Sequence, residues 1–502
     1  MKILTAAFAL FLAERAHAFL LPSPTRAVVS KYPAVAIPST DEASINTETK
    51  VTPSDPIETS NVSVPCPGAD ENSIFDCDDS VVFWRDFQRN GLESTQQNLQ
   101  AMASITASFL EKGPAASSYW ARHVGRSGYF VGNALLGNIG FYLHERFLRG
   151  EDSALLKRED SAQLSLLPIN LDGSAASRIL LEAFLCYQQD YEEIQAGTYR
   201  EPWDMRLGHR QSSPINVLTQ TSRFVDEAIG TLSRRKRAQE EDKKIWISNT
   251  AAPGLYPDYY RNAFHYQTDG WMSKKSADVY ETSTETLFLG RQDAMQRTSL
   301  KPLMQLSKKF QAQGRGRPMR VLEVACGTGR FMTFVRDNLP LDTEYTALDL
   351  SPFYLDAARE NDKYWRRVRK SSEQRDGTSG EIRPATFVQG QAENLPFESE
   401  SFDAVLCVYL FHELPREVRS KVASEMARVL APGGTIVLTD SVQRGDRPIL
   451  DERLGNFGNF NEPFYEDYIQ DSLASHFEKA NLKPSTKAVR STTKSLSFVK
   501  EL

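Results

Sequence analysis

Short apolar runs rich in β-branched residues alternate with helical patterns along the second half of the chain. The helical pattern is clearest at residues 416–430, where apolar side chains share one stripe from Val418 to Val429. Such alternation is typical of βαβ units, in which helices cover both faces of a mainly parallel sheet. We therefore predict a doubly wound α/β fold for residues 318–502. The runs that we assign as strands are residues 320–324, 344–348, 385–388, 402–408, 435–439 and 495–501.

The first half of the chain instead repeats its apolar positions at steps of three and four residues. This periodicity predicts a mainly α-helical domain over residues 74–244. Residues 245–317 then form a connector, in which the aromatic stretch at 256–280 has the composition of a lid over a ligand. The helical segments that we predict are residues 83–110, 129–148, 176–195 and 215–238.

The N-terminus has the pattern of a targeting sequence. Residues 1–18 combine an early lysine, an apolar stretch and an Ala-His-Ala cleavage pattern, which predicts a signal peptide. Residues 19–73 begin with a basic, acid-free, Ser/Thr/Pro-containing stretch typical of transit peptides and continue as a disordered linker. This order resembles the bipartite presequence of algal secondary plastids, so we predict a plastid location. Secretion is the alternative, and Asn61 would then begin a glycosylation sequon.

Composition excludes several classes of partner. The 502-residue chain has a net charge of −6, so no basic surface is expected to bind nucleic acid. Its five cysteines include no C-x-x-C pair, and we predict no metal site. Beyond residue 20 no apolar segment reaches the ~18 residues of a membrane span, which leaves peripheral membrane contact open. The sequence does not indicate an oligomeric state.

The segment VLEVACGTGRF at residues 321–331 joins a predicted strand to a predicted helix through a G-x-G turn. A dinucleotide-binding turn needs a third glycine three positions after Gly329, but Met332 stands there. Glu323, two residues before the turn, would repel a phosphate and attract a cation. The segment therefore favours a ligand other than a dinucleotide.

Asp349 ends the next predicted strand, twenty residues after Gly329. An acidic residue at this position can accept hydrogen bonds from both hydroxyls of a ribose. Together with Glu323, it indicates a nucleoside whose remaining charge is positive or absent. S-adenosylmethionine has this chemistry, because it joins adenosine to an ammonium group and a sulfonium.

Several motifs in the second half of the chain resemble those of a known family. The chain resembles the class I S-adenosylmethionine-dependent methyltransferases, in particular the type 11, UbiE-like group, over residues 318–440. That resemblance implies a seven-stranded Rossmann-like sheet. The motifs that carry it are VLEVACGTG (321–329), ALDLS (347–351), QGQAENLPF (389–397), SFDAV (401–405) and VLAPGG (429–434).

The resemblance implies roles for individual residues. Glu323 and the backbone at Ala325, Gly327 and Gly329 would hold the methionine moiety, and Asp349 would hold the ribose. Two positions depart from the family pattern, because Ala325 replaces a glycine and Gln391 replaces an aspartate beside the adenine. The remaining residues implied to bind the cofactor are Thr328, Leu350, Ala392 and Val408.

Three residues are candidates for catalysis. His412 and Asp440 follow predicted strands, and His265, beside Tyr266, belongs to the aromatic lid. Either histidine can equally serve a structural role, through a local hydrogen bond or through packing in the lid. A general base is needed only if the acceptor must lose a proton during transfer.

The sequence thus predicts a methyltransferase that uses S-adenosylmethionine. Its acceptor is expected to be a small, apolar molecule such as a quinol, a phenol, a pigment precursor or a lipid. One alternative is a non-catalytic scaffold or assembly factor that keeps the cofactor fold and binds a partner through its helical domain. A nicotinamide oxidoreductase is the other, against which the missing third glycine argues.

Overall fold

Eight strands form one mixed sheet in the part of the chain that the structure describes. The sheet order is β1-β7-β8-β6-β5-β2-β3-β4. Neighbouring strands are parallel, except that β8 runs antiparallel to both β6 and β7. The strands are β1 (Asp76–Cys77), β2 (Arg320–Val324), β3 (Glu344–Asp349), β4 (Thr386–Gln389), β5 (Phe402–Val408), β6 (Leu430–Ser441), β7 (Lys483–Arg490) and β8 (Thr493–Val499).

The computed structural model describes residues 65–87, 94–149, 173–202, 205, 213–237, 239–245, 255–376 and 382–502. The predicted signal peptide, most of the transit-like region and the sequon at Asn61 lie outside these residues.

The predicted α/β fold with a preceding helical region is confirmed, and the sheet gains strands at one edge. Every run that was assigned as a strand overlaps a strand, including the last one, which overlaps β8. The sequence analysis missed β7, which completes a seven-stranded sheet. It also missed the two-residue strand β1, which comes from the helical part of the chain and pairs with β7.

Helices account for most of the remaining described structure. The predicted segment 83–110 is two helices, of which the second begins at a capping box formed by Ser94 and Gln97. The longer helices are α1 (Asp79–Asp86), α2 (Thr95–Glu111), α3 (Pro114–Arg149), α4 (Gly173–Gln195), α5 (Pro214–Arg237), α6 (Lys274–Leu287), α7 (Leu300–Ala312), α8 (Arg330–Asn338), α9 (Pro352–Asp376), α10 (Arg416–Val429) and α11 (Leu473–Lys479). Short α-helical turns occupy Pro67–Asp70, Glu240–Lys243, Gln292–Gln296, Asp451–Leu454 and Tyr465–Tyr468.

The helical region shares its apolar core with the sheet. One cluster of buried side chains includes Trp84 and Tyr187 from the helices as well as Val405 and Phe498 from the strands. Residues Pro53–Leu502 accordingly form one compact unit. The domain boundaries drawn at residues 244 and 317 stay predictions.

A buried charge cluster joins the same two regions. Asp190 on α4 accepts two hydrogen bonds from Arg297, at 2.5 and 3.0 Å, and lies 3.3 Å from Arg490 on β7. The hydroxyls of Tyr119 and Tyr199 also donate to its carboxylate. Paired in this way, the buried charges avoid the large cost of an isolated ion.

None of the helices in the described ranges is long and apolar enough to cross a membrane.

Candidate cofactor and acceptor site

The turn after β2 exposes its backbone because three of its residues adopt left-handed conformations. The φ angles are 57° at Ala325, 56° at Gly327 and 77° at Gly329. At Gly329 a Cβ atom would lie 3.1 Å from the Cβ of Ala358 on α9, so a bare glycine lets α9 approach. Ala325 adopts a conformation that is unfavourable for a residue with a side chain. The turn is therefore shaped for close backbone approach even where the family glycine is missing.

Glu323 is buried just before this turn. The Tyr345 hydroxyl donates a 2.6 Å hydrogen bond to its Oε2 atom. Burial, together with the nearby Asp349 carboxylate, raises the pKa of Glu323 to about 8. A cation would stabilise the ionised form of this carboxylate, so Glu323 suits an ammonium group better than a phosphate.

Asp349 ends β3 and is fixed by two backbone amides. Gly327 donates to Oδ2 and Ser351 donates to Oδ1, each at 2.8 Å. Burial raises the pKa of Asp349 to about 6 even though these hydrogen bonds favour the carboxylate. Each oxygen keeps a further lone pair, so the group can still accept from two ribose hydroxyls.

Two cavities meet at the glycine turn. The larger has a volume of about 1060 Å³, and the smaller about 100 Å³. A nucleoside cofactor and its reaction partner could therefore occupy adjoining spaces. The residues that line both cavities are Tyr280, Ala325, Gly327, Val408 and Tyr409.

The smaller cavity has the character of a nucleoside site. Asp349, Leu350, Ala392 and Val408 line it, and their contacts with a cofactor stay predictions. Aromatic rings from the lid close it, namely Tyr259, Tyr260, Phe264 and Trp271.

Gln391 is placed differently from the residues on either side of it. Its side-chain amide donates a 2.8 Å hydrogen bond to the carbonyl of Leu255 in the connector, whereas Gly390 and Ala392 line the smaller cavity. The amide therefore ties the connector to the sheet, and its contact with adenine stays a prediction.

The larger cavity lies between the glycine turn and the helical part of the chain. Thr328 from the turn and Glu281 from α6 both line it, and the Thr328 hydroxyl donates to Glu281 at 3.0 Å. Three residues of α3 also line the larger cavity, namely Arg126, Tyr129 and Phe130. The helical region therefore forms one wall of the space beside the cofactor turn.

Charged side chains on this wall are paired with one another. Arg126 contacts Glu285 at 2.9 Å and Asp293 at 2.8 Å, and Arg330 also binds Asp293. Burial and the neighbouring Asp293 raise the pKa of Glu285 to about 7. Because these charges offset each other, the wall offers no net charge that would attract a highly charged ligand.

The three candidate catalytic residues lie in one cluster, in which Asp440 is buried and the His265 side chain is 31% exposed. His412 Nδ1 is 2.6 Å from Asp440, and His265 Nδ1 is 3.1 Å from Glu462. Although burial opposes it, the Asp440 carboxylate raises the pKa of His412 to about 10. Burial lowers the pKa of His265 to about 4. His412 is therefore a charged partner of Asp440, and His265 is neutral.

Glu413 is the member of this cluster that lines the smaller cavity. Sequence reasoning overlooked it in favour of its neighbour His412. The available signal was an acidic residue shortly after the end of β5, at the sheet edge where open α/β folds place their ligands.

Comparisons with known proteins agree with this geometry. Residues 321–434 match a family model described as a methyltransferase domain. A fatty-acid O-methyltransferase from Mycolicibacterium smegmatis is 33% identical over 168 residues, which are 34% of this chain and 52% of that protein. A demethylmenaquinone methyltransferase from Deinococcus radiodurans is 35% identical over 123 residues, which are 24% and 43% of the two chains.

Two further proteins are also similar to this chain. A phthiotriol/phenolphthiotriol dimycocerosates methyltransferase from Mycobacterium ulcerans is 39% identical over 121 residues, or 24% of this chain and 37% of that protein. This chain thus covers between about a third and about half of the length of the curated relatives named here. A solved methyltransferase from Aquifex aeolicus aligns with 38% of this chain and 88% of its own, at 17% identity and a TM-score of 0.26, which is too low to support an argument.

Residues 321–434 thus match a methyltransferase domain, and the strand order and the glycine turn agree with the class I resemblance. S-adenosylmethionine is the cofactor of this class. The site fits it, because Glu323 suits the ammonium group, Asp349 can accept from the ribose and the turn exposes its backbone between them.

Proposed function

We propose that this protein is an S-adenosylmethionine-dependent methyltransferase whose acceptor is a bulky, apolar small molecule with an oxygen function. The observation that carries the proposal is the cavity of about 1060 Å³ that adjoins the cofactor turn. This volume exceeds the ~300–1,000 Å³ of most small-molecule pockets, so it has room for more than the end of the cofactor. The acceptor class includes quinols, phenols, pigment precursors and lipids.

The chemistry of the cavity wall supports an apolar acceptor. Phe130, Tyr129 and Phe331 present aromatic surface, whereas the arginine and carboxylate groups beside them are paired. Pockets for small ligands are lined mainly by apolar and aromatic side chains, and many of the charged side chains around this cavity are paired with one another. The relatives named above have fatty acids, a demethylmenaquinone and phthiotriol lipids in their names, which is consistent with this class.

The residues of the site would act mainly by positioning. When bound, the cofactor supplies a methyl group that its sulfonium already activates. Glu323 and Asp349 would hold the two ends of the cofactor, and Tyr280 would help to separate the cofactor from bulk water where the cavities meet. Correct orientation of two reactants can supply about 7–11 kcal/mol of a barrier.

A matched panel of acceptors tests this proposal. The protein is incubated with methyl-labelled S-adenosylmethionine and dodecanoic acid, dodecanol, dodecylphenol or dodecylamine, and products are identified by mass spectrometry. Transfer to an oxygen-containing probe is expected, with the Asp349→Ala variant as the negative control. Transfer to none of the probes, or only to the amine, contradicts the proposed acceptor class.

We also propose that residues 1–73 direct the protein to a plastid. The proposal rests on the order of a signal peptide and a basic, acid-free segment. Residues 1–73 fused to a fluorescent protein should accumulate in the plastid of an alga with secondary plastids. Fluorescence in the culture medium would instead support secretion.

A further inference from the structure

Glu413 combines a mostly buried carboxylate with a position on the smaller cavity. It ends the short helical turn Phe411–Glu413 that follows β5, and it lines the smaller cavity together with Asp349 and Tyr280. Its side chain is 13% exposed. Among the described residues, its nearest charged contact is His412 Nε2 at 3.8 Å, which is longer than a hydrogen bond. The carboxylate therefore has capacity left for a ligand.

Charged groups from several elements surround Glu413. His412 lies beside it on the same turn, Asp440 comes from β6, and Glu462 comes from the segment before Tyr465–Tyr468. Asp349 on β3 acts on it from across the cavity, and Glu413 in turn acts on the hydroxyl of Tyr280 from α6. Burial raises the pKa of Glu413 to about 8, the His412 cation opposes this effect, and the three carboxylates reinforce it.

The wider cluster contains more acidic groups than cationic ones. Glu413, Asp440 and Glu462 are acidic, whereas His412 is the charged histidine of the cluster because burial keeps His265 neutral. A cation that enters the smaller cavity would favour the ionised form of the acidic groups near it. The cofactor carries such a cation before transfer, as the sulfonium, and loses that charge when its methyl group leaves.

We propose that Glu413 is a catalytic residue that faces the sulfonium of bound S-adenosylmethionine and accepts the hydroxyl proton of the acceptor during transfer. This inference rests on the proposed function. The methyl carbon–sulfur bond breaks and its electron pair stays on sulfur, while an acceptor oxygen forms the new bond to carbon. The oxygen–hydrogen bond breaks as well, and its proton passes to the Glu413 carboxylate.

The timing of the proton transfer follows from electrostatics. While the sulfonium is present, its charge stabilises the ionised carboxylate of Glu413. When transfer leaves a neutral thioether, that stabilisation disappears and the affinity of Glu413 for a proton rises. His412 is hydrogen-bonded to Asp440 and acts as a positioning residue. Its positive charge limits the rise in the pKa of the Glu413 carboxylate.

Proton release on cofactor binding tests this proposal without turnover. S-adenosylmethionine and S-adenosylhomocysteine share the ribose and the amino acid and differ in the sulfonium. Calorimetric titration at pH about 7, in buffers of different ionisation enthalpy, measures how many protons each ligand displaces. Because Glu413 is largely protonated in the free enzyme at this pH, S-adenosylmethionine should release up to about one proton more than S-adenosylhomocysteine.

The Glu413→Gln variant should abolish this difference. Its matched control is Glu227→Gln, because Glu227 is also a largely buried glutamate, lies in the helical region, pairs with Arg234 and has a side-chain oxygen without a hydrogen-bond partner. That control should keep the wild-type difference. Equal release for the two ligands in the wild type, or an unchanged difference in Glu413→Gln, overturns the proposal.

These outcomes are distinct from failure of the proposed function. If neither nucleoside binds, the cofactor assignment itself is wrong. If both bind and release the same number of protons, the methyltransferase proposal stands and the role of Glu413 falls. The wild-type comparison requires no variant, so the proposal can be refuted even if Glu413→Gln does not fold.

Discussion

Asp349 has an observed contact and a predicted role that depend on the same two oxygen atoms. It accepts a hydrogen bond from the amide of Gly327 at 2.8 Å, and its remaining lone pairs can accept from the ribose of the proposed cofactor. Asp349→Ala should therefore weaken binding of S-adenosylmethionine by about 1–3 kcal/mol, because hydrogen bonds to a charged group are lost. Calorimetry measures the loss. Asp342→Ala, in the exposed segment before β3, is the control, and equal affinity in both variants would contradict the assignment.

The raised pKa of Glu323 makes cofactor affinity depend on pH. Below about pH 8 this buried group is mostly protonated, and its ionised fraction increases as pH rises. The ionised form attracts an ammonium, so affinity for S-adenosylmethionine and S-adenosylhomocysteine should increase from pH 6 to 7.5, by at most about tenfold per pH unit. Above pH ~7.7 an α-ammonium begins to lose its own proton, which sets the upper limit.

A binding series at several pH values checks this expectation. Glu323→Gln should make the affinity for both nucleosides nearly independent of pH over that range, apart from the contribution of Asp349. If the wild-type affinity stays constant or falls as pH rises, the ammonium does not lie near Glu323.

The sequence could indicate some site residues and not others for a physical reason. Glu323 and Asp349 lie near the ends of strands that the sequence predicts clearly from their apolar residues. Their places at the edge of the sheet therefore follow from the predicted strand ends. Glu413 lines the cavity from the turn after β5, where Tyr409 adopts a φ of 56°. No local pattern predicts a left-handed tyrosine, so the sequence could indicate an acidic residue at this sheet edge but not that its side chain lines the cavity.

At the scale of elements, the approach of α9 to the glycine turn depends on Gly329. A methyl group there would meet the backbone and side chain of Ala358 within 3.1 to 3.2 Å, in a conformation that already disfavours side chains. Gly329→Ala should therefore lower the thermal midpoint. Gly316→Ala is the matched control, because Gly316 has a φ of 64° and no atom within 4 Å of an added Cβ. Equal losses in the two variants would show that α9 does not pack closely on the turn.

The strands also differ in how clearly the sequence predicts them. Most follow an apolar pattern, whereas β7 does not. β2 and β5 are mainly apolar runs, as buried parallel strands usually are. β7 contains Lys487 and Arg490 instead, and both are buried. Lys487 pairs with Asp446 at 2.6 Å, a partner that the sequence does not reveal. A strand whose core positions are charged therefore resembles a loop until its partners are known.

At the scale of the whole molecule, the helical region and the sheet should unfold together. Asp190 holds Arg297 and Arg490 in a buried cluster between the two regions. Asp190→Ala leaves two buried cations without their partner, which typically costs about 3–5 kcal/mol. Asp226→Ala removes an exposed pair with Lys275 and should cost at most about 1 kcal/mol.

Urea unfolding, followed by tryptophan fluorescence and circular dichroism, distinguishes these outcomes. A single transition is expected for the wild type, with its midpoint lowered strongly in Asp190→Ala. Two separate transitions, with only the first affected, would show that the regions fold independently.

The pairing of β1 with β7 has a consequence for how the protein is made. Lys494 donates to Glu71 at 2.8 Å across 423 positions of sequence. When the first hundred residues have left the ribosome, β7, the strand with which β1 pairs, has not yet been synthesised. The sheet edge can therefore close only after synthesis of the chain is nearly complete, as is usual for contacts of long sequence separation. Until then, the N-terminal segment stays available to any machinery that must handle the chain before it folds.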